Sequence, residues 1–144
     1  MNYHSDEWIL DNVKKHLEEI STIYPKDHVV GIFLQGSQNY GLDEYSDNYC
    51  SDVDTKSIIL PNLDDFIMAK QPISAVEVLE NNEHAEVKDI RVMFEMFKKE
   101  NISYIELLYS DYIVFIQPNG LLVCEFRAYL TDFFIFLQIK NNIQ

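Results

Sequence analysis

Two short apolar runs, residues 29–34 and 58–60, flank a polar stretch that opens on Gly36-Ser37 and closes on Ser51-Asp52-Val53-Asp54. The first run is too short for a buried helix, and both are rich in residues that suit a pleated, buried surface, so both read as strands. The chain must therefore carry a sheet, with a turn glycine at the end of one strand and two carboxylates at the start of the next. A glycine directly after a strand lets the backbone come close to a phosphate, with amides and the Ser37 hydroxyl as donors, although the same pair also serves as a plain turn. Strand side chains alternate, so Asp52 and Asp54 share a face while Val53 turns to the core. Two convergent carboxylates suit a hard cation, yet an isolated Asp-x-Asp reads equally well as a solvated strand start.

The flanking sequence supplies the rest of an α/β layout. Trp8, Ile9, Val13, His16, Leu17 and Ile20 recur at helical spacing, with Ser5 or Asp6 as N-cap and Pro25 as the stop. After the strand over 52–60, Asn62 is placed to cap a short helix over 63–68. Residues 73–79 and 83–87 then read as two antiparallel strands joined at Asn81-Asn82, since asparagine tolerates the positive backbone angles of a tight turn. Asp89 and Ser103 are candidate caps for two helices broken near Asn101, and an apolar piece over 111–116 precedes a final helix over 122–137. The expected fold is a single domain over 1–144, α/β (α+β), with a core over 29–88 and a helical C-terminal part over 89–144. A small mixed sheet is covered on one side by helices.

In the 83–87 strand, His84, Glu86 and Lys88 share one face, which makes Glu86 the leading candidate for a third acid beside Asp52 and Asp54. Lys56 lies on the face of Asp54 and is a candidate phosphate contact, although a solvated, edge-protecting charge is the commoner role. His84 reads as a cover over the cleft more readily than as a residue lining it, and Tyr40 as a packing residue more readily than as a base-stacking one. Arg91 suits either a phosphate or Asp89.

Composition narrows the function. A net charge of -13 from 24 acidic and 11 basic residues opposes a long phosphate backbone, and no basic stripe offsets it. A nucleotide neutralised by metal ions remains compatible. The most apolar stretch, 121–139, is interrupted by Glu125, Arg127 and Asp132, so no membrane span is expected. Cys50 and Cys124 match no metal-ligand spacing, and the amino terminus lacks a signal-peptide pattern, so a cytoplasmic protein is expected.

The ordered motifs GSQNYGL (36–42), SDVDTK (51–56), ENNEHAEVKDIR (80–91) and ELLYS (106–110) resemble the DNA polymerase beta-like nucleotidyltransferase superfamily. Within it they are most similar to stand-alone predicted nucleotidyltransferases of bacteria and phages. The resemblance implies a nucleotidyltransferase-type sheet and transfer of a nucleotidyl group from a nucleoside triphosphate to a hydroxyl acceptor, a small molecule, a protein or an RNA end. It implies that Gly36 and Ser37 hold the triphosphate, and that Asp52, Asp54 and Glu86 bind two Mg2+ ions, with Mn2+ as an alternative. The family pattern more often has aspartate at the third acidic position, and the loop over 45–50 is longer than usual. The match fades after Ser110, which gives a second expectation: a nucleotidyltransferase-fold protein that binds nucleotide or a protein partner without catalysis, in the manner of antitoxin-type relatives. A glycosyltransferase using Asp-x-Asp is disfavoured by the short chain.

Overall fold

The structure, a computed structural model, describes residues 4–46 and 48–115. The predicted helix over 122–137, the apolar stretch over 121–139 and Cys124 lie outside them, whereas Cys50 is a free, exposed thiol. Among the described residues no helix is long and apolar enough to cross a membrane.

Helix α1 (Asp6–Ile23) begins where Ser5 accepts a hydrogen bond from the Trp8 amide, and it buries Ile9, Val13, His16, Leu17 and Ile20 on one stripe. Strand β1 (Val29–Gln35) follows, buried along nearly its whole length. The loop after it is more regular than its sequence suggests. A 3-10 turn spans Ser37–Tyr40, and β2 (Tyr45–Ser46) pairs with β3 (Tyr49–Cys50). The loop is closed by the Glu44 amide donating to Ser51 Oγ at 2.8 Å and the Ser51 amide donating to the Glu44 carbonyl at 2.9 Å. Such bonds leave no periodic mark in a sequence.

Strand β4 (Asp54–Ile59) is followed by α2 (Leu63–Ile67), β5 (Ser74–Val78) and β6 (His84–Asp89). As predicted, β5 and β6 are antiparallel, with Asn82 at φ 64° in the connecting turn. Helix α3 (Ile90–Lys98) is capped by Asp89, which accepts from the Arg91 amide at 2.9 Å. Asn101, rather than Ser103, is the cap residue of α4 (Ile102–Ile105), and the Ser103 hydroxyl donates to the Asn101 side chain instead. Strand β7 (Ile113–Phe115) then joins the edge of the sheet beside β1, so the part after residue 89 is not wholly helical.

The main sheet has the order β5-β6-β4-β1-β7 and is mixed: β4 and β6 run parallel, and the other neighbours run antiparallel. It is covered on both faces, which corrects the expectation of cover on one side. Ile32 and Leu34 of β1 turn towards α1 with Val13, Leu17 and Ile20. Phe33, from the same strand, turns the other way to Met93 of α3, Tyr104 of α4 and Leu107. Alternation along a buried strand requires an apolar layer on each side, and each large side chain so buried contributes about 1.5–3 kcal/mol. The chain is thus a mixed α+β protein with a five-stranded sheet between helical layers.

Candidate functional site

Two side-chain contacts determine where β4 begins. Gln38, buried in the loop after β1, donates from Nε2 to the carbonyls of Ser51 and Asp52, both at 3.1 Å. Glu83 accepts from the Val53 amide at 3.0 Å. With these backbone groups held by side chains, residues 52 and 53 do not join the ladder that the sequence suggested, and pairing starts at Asp54, opposite Gln35. Val53 is fully buried, so Asp52 and Asp54 project together as alternation requires.

The register between β4 and β6 selects their companion. Thr55 pairs with Ala85, which sets Asp54 beside His84 and Lys56 beside Glu86. Asp52, Asp54 and His84 each offer a ligand atom, all within 4.8 Å of one another. Glu86, the sequence candidate for the third acid, is not one of this group. Its carboxylate lies 3.6 Å from the Lys56 ammonium and 3.5 Å from that of Lys88, and it accepts from Gln35 Nε2 at 3.2 Å. His84, for which the sequence favoured covering the cleft over lining it, stands in the place expected of Glu86.

The electrostatics of the two places differ. Burial first, and then the charge of Asp52, raises the proton affinity of Asp54 above the ordinary aspartate range, despite an opposing contribution from His84. No lysine or arginine among the described residues forms an ion pair with Asp52 or Asp54. Lys56 is buried, not solvated, and its ammonium also stands 4.1 Å from the centre of the Tyr104 ring. Burial lowers its affinity for the proton, and Glu86 partly restores it.

Gly36 adjoins Asp54 directly. Its φ of +81° suits glycine, and a Cβ built on it would come within 3.4 Å of Asp54 Oδ2. Ser37 follows with its side chain exposed. A cavity of about 190 Å3, lined by Gln35, Gly36, Asn39, Tyr40, Ser103 and Glu106 among others, lies beside this turn. A larger hollow of about 660 Å3, between α2 and α3, is lined in part by Arg91 but by none of Gly36, Ser37, Asp52, Asp54, Lys56, His84 and Glu86. Tyr40 is half-exposed, and its hydrogen bond to Glu106 is the main cause that pushes its phenol up to about 12. Arg91 is held by Asp89 through bonds of 3.0 and 2.7 Å, which decides between its two sequence readings.

Beneath the carboxylates lies a polar network that the sequence reading missed. His16 of α1 is buried, with Nδ1 2.9 Å from Thr55 Oγ1 and Nε2 2.7 Å from Glu83 Oε2. A carboxylate only accepts, so Nε2 carries the proton. Burial alone would raise the Glu83 proton affinity, but hydrogen bonds from His16, the Val53 amide and Asn81 outweigh it and hold the group ionised below its usual range. Glu83 thereby fixes the backbone between the two aspartates. The available signal was a histidine on the otherwise apolar stripe of an amphipathic helix, which needs a buried polar partner.

Comparison with known proteins finds no protein-family model that matches this chain and no significant match among curated proteins. The resemblance to nucleotidyltransferases therefore rests on the motifs and their arrangement.

Proposed function

We propose that the chain is a nucleotidyltransferase that uses a divalent metal ion and a nucleoside triphosphate, with Asp52, Asp54 and His84 as metal-holding residues. The observation that carries this reading is the convergence of those three ligand groups beside Gly36. Two carboxylates and an imidazole form a donor set that fits a divalent ion. A bound ion of this kind supplies charge neutralisation and polarisation of phosphoryl oxygens.

The chain's own residues do the positioning. Gly36 offers backbone without a side chain next to Asp54, and Ser37 adds an exposed hydroxyl, so the turn suits a triphosphate. The acceptor hydroxyl attacks the α-phosphate, an oxygen–phosphorus bond forms as the bond to pyrophosphate breaks, and the hydroxyl proton passes to a carboxylate of the site. Gln38 and Glu83 keep the aspartates in place through Asp52 and Val53. Glu86 and Lys56 form a paired support two residues further along the same strands.

Incubation with radiolabelled nucleoside triphosphates, Mg2+ or Mn2+ and candidate acceptors tests the proposal. Wild type transfers label. The Asp52→Ala/Asp54→Ala variant loses transfer by a factor on the order of 10² or more, the scale of removing a preorganised electrostatic contact. Equal transfer by both proteins overturns the catalytic reading. A second reading, nucleotide binding without turnover, is favoured by one observation: Glu86 is tied to Lys56 and Lys88, and among the described residues no third carboxylate joins the aspartates in the candidate metal group. Calorimetry that shows binding of ATP and metal, in a protein without turnover, would select it.

A further inference from the structure

We propose that this site selects a first-row transition-metal ion over Mg2+, and that the His84 imidazole is the selecting ligand. The inference rests on the reading of Asp52, Asp54 and His84 as a metal centre, and it concerns which ion that centre takes. Mg2+ demands oxygen ligands in near-octahedral array and gains little from an imidazole, whereas first-row transition ions accept nitrogen readily. The strand register fixes the choice of donor. With Thr55 paired to Ala85, the group beside Asp54 is His84, one ring nitrogen of which lies within 4.8 Å of a carboxylate oxygen of each aspartate.

A second, independent observation supports the assignment. Glu86, the acid that the sequence put forward for an all-oxygen set, is committed to Lys56, Lys88 and Gln35, and Glu83 is committed to His16 and the Val53 amide. Recruiting Glu86 would strand the buried Lys56 ammonium without its carboxylate. The third donor is thus nitrogen. Mn2+ stands lowest in the affinity order of the first-row divalent ions, so it is the strictest member of the class to test.

Metal-stripped full-length protein is titrated with Mn2+ alone, and bound Mn2+ is examined by pulsed electron paramagnetic resonance with histidine carrying 14N or 15N. Mg2+ competition then gives the ratio of affinities. His84 is exposed, so His84→Ala and His84→Asp are expected to fold normally, which thermal unfolding checks. Wild type is expected to show histidine nitrogen coupling to Mn2+ and a clear preference for Mn2+. In His84→Ala the coupling disappears and Mn2+ affinity falls at least about tenfold, the lower end of what loss of an outer-shell partner costs. In His84→Asp, Mn2+ still binds, without nitrogen coupling and with a narrower preference over Mg2+. Absence of nitrogen coupling in wild type, or an unchanged Mn2+ to Mg2+ ratio in His84→Ala, overturns the inference. Coupling without any label transfer removes the proposed transferase and leaves this inference standing. Transfer in Mg2+ without coupling does the reverse, and failure of wild type to bind Mn2+ removes this inference and the metal centre together.

Discussion

On the shared face of β4 and β6, Asp54 with His84 and Lys56 with Glu86 stand two residues apart, roughly 7 Å along the strand, in opposite states of charge compensation. Glu86 has two ammonium groups within 3.6 Å and a hydrogen bond from Gln35. Asp52 and Asp54 repel one another, and backbone contacts through Gln38 and Glu83 hold them together. A carboxylate whose charge is matched within the fold supports the fold. The proposed metal centre uses the carboxylates that have no lysine or arginine partner among the described residues, and this separates the two groups although their residue types are alike.

The comparison breaks most readily on metal affinity. Asp54→Asn is expected to weaken Mn2+ binding by at least about tenfold, whereas Glu86→Gln leaves it within about threefold, because a direct ligand matters at least as much as an outer-shell one. Calorimetric titration of both variants measures this, and equal losses would show that the two places form one site.

Stability should show the reverse order. Glu86→Ala leaves the Lys56 ammonium buried beside Tyr104 without its carboxylate. A fully buried broken pair costs about 3–5 kcal/mol, and the 30% exposure of the Glu86 side chain reduces the expectation to about 1–3 kcal/mol. Asp52→Asn, at an exposed position, should change stability by no more than about 0.5 kcal/mol in the metal-free protein. Urea unfolding of the two variants distinguishes them, and a larger loss from Asp52→Asn would contradict the assignment of roles.

These environments were only partly legible in the sequence. Alternation placed Asp52 and Asp54 together and buried Val53, and Asn81-Asn82 marked the hairpin, because both signals are local. Whether His84 or Glu86 meets the aspartates depends on the register of two parallel strands with a helix and another strand between them. In that register Thr55 and Ala85 are paired and both fully buried, and no local pattern encodes it. Lys56 is buried with its ammonium over the ring of Tyr104, far along the chain, and this was equally hidden. Cover on both faces was open to inference, since amphipathic segments precede and follow the strands and each needs a sheet face.

The smallest expected effect is in the pH dependence of stability, where Asp54 and Glu83 act in opposite senses. The folded state holds the Asp54 proton more tightly than the unfolded chain does. Its contribution is therefore full below the ordinary aspartate range and is lost as pH rises through the raised folded value. Glu83 binds its proton more weakly when folded, so its contribution is present above the ordinary glutamate range and is lost as pH falls through the depressed value. In metal-free protein, Asp54→Asn should gain relative stability between about pH 3 and about pH 7, and Glu83→Gln should lose it over the same interval. Denaturant melts at the two pH values provide the check, and shifts of the same sign would remove the distinction between the group above the strand start and the group beneath it.

The most direct measurement is a crystal structure of the full chain with Mn2+ and a non-hydrolysable nucleoside triphosphate analogue. The expected result is an ion held by Asp52, Asp54 and His84, with the triphosphate against Gly36 and Ser37 and the Lys56–Glu86 pair intact. An ion on Glu86, or a nucleotide bound away from Gly36, would contradict the account.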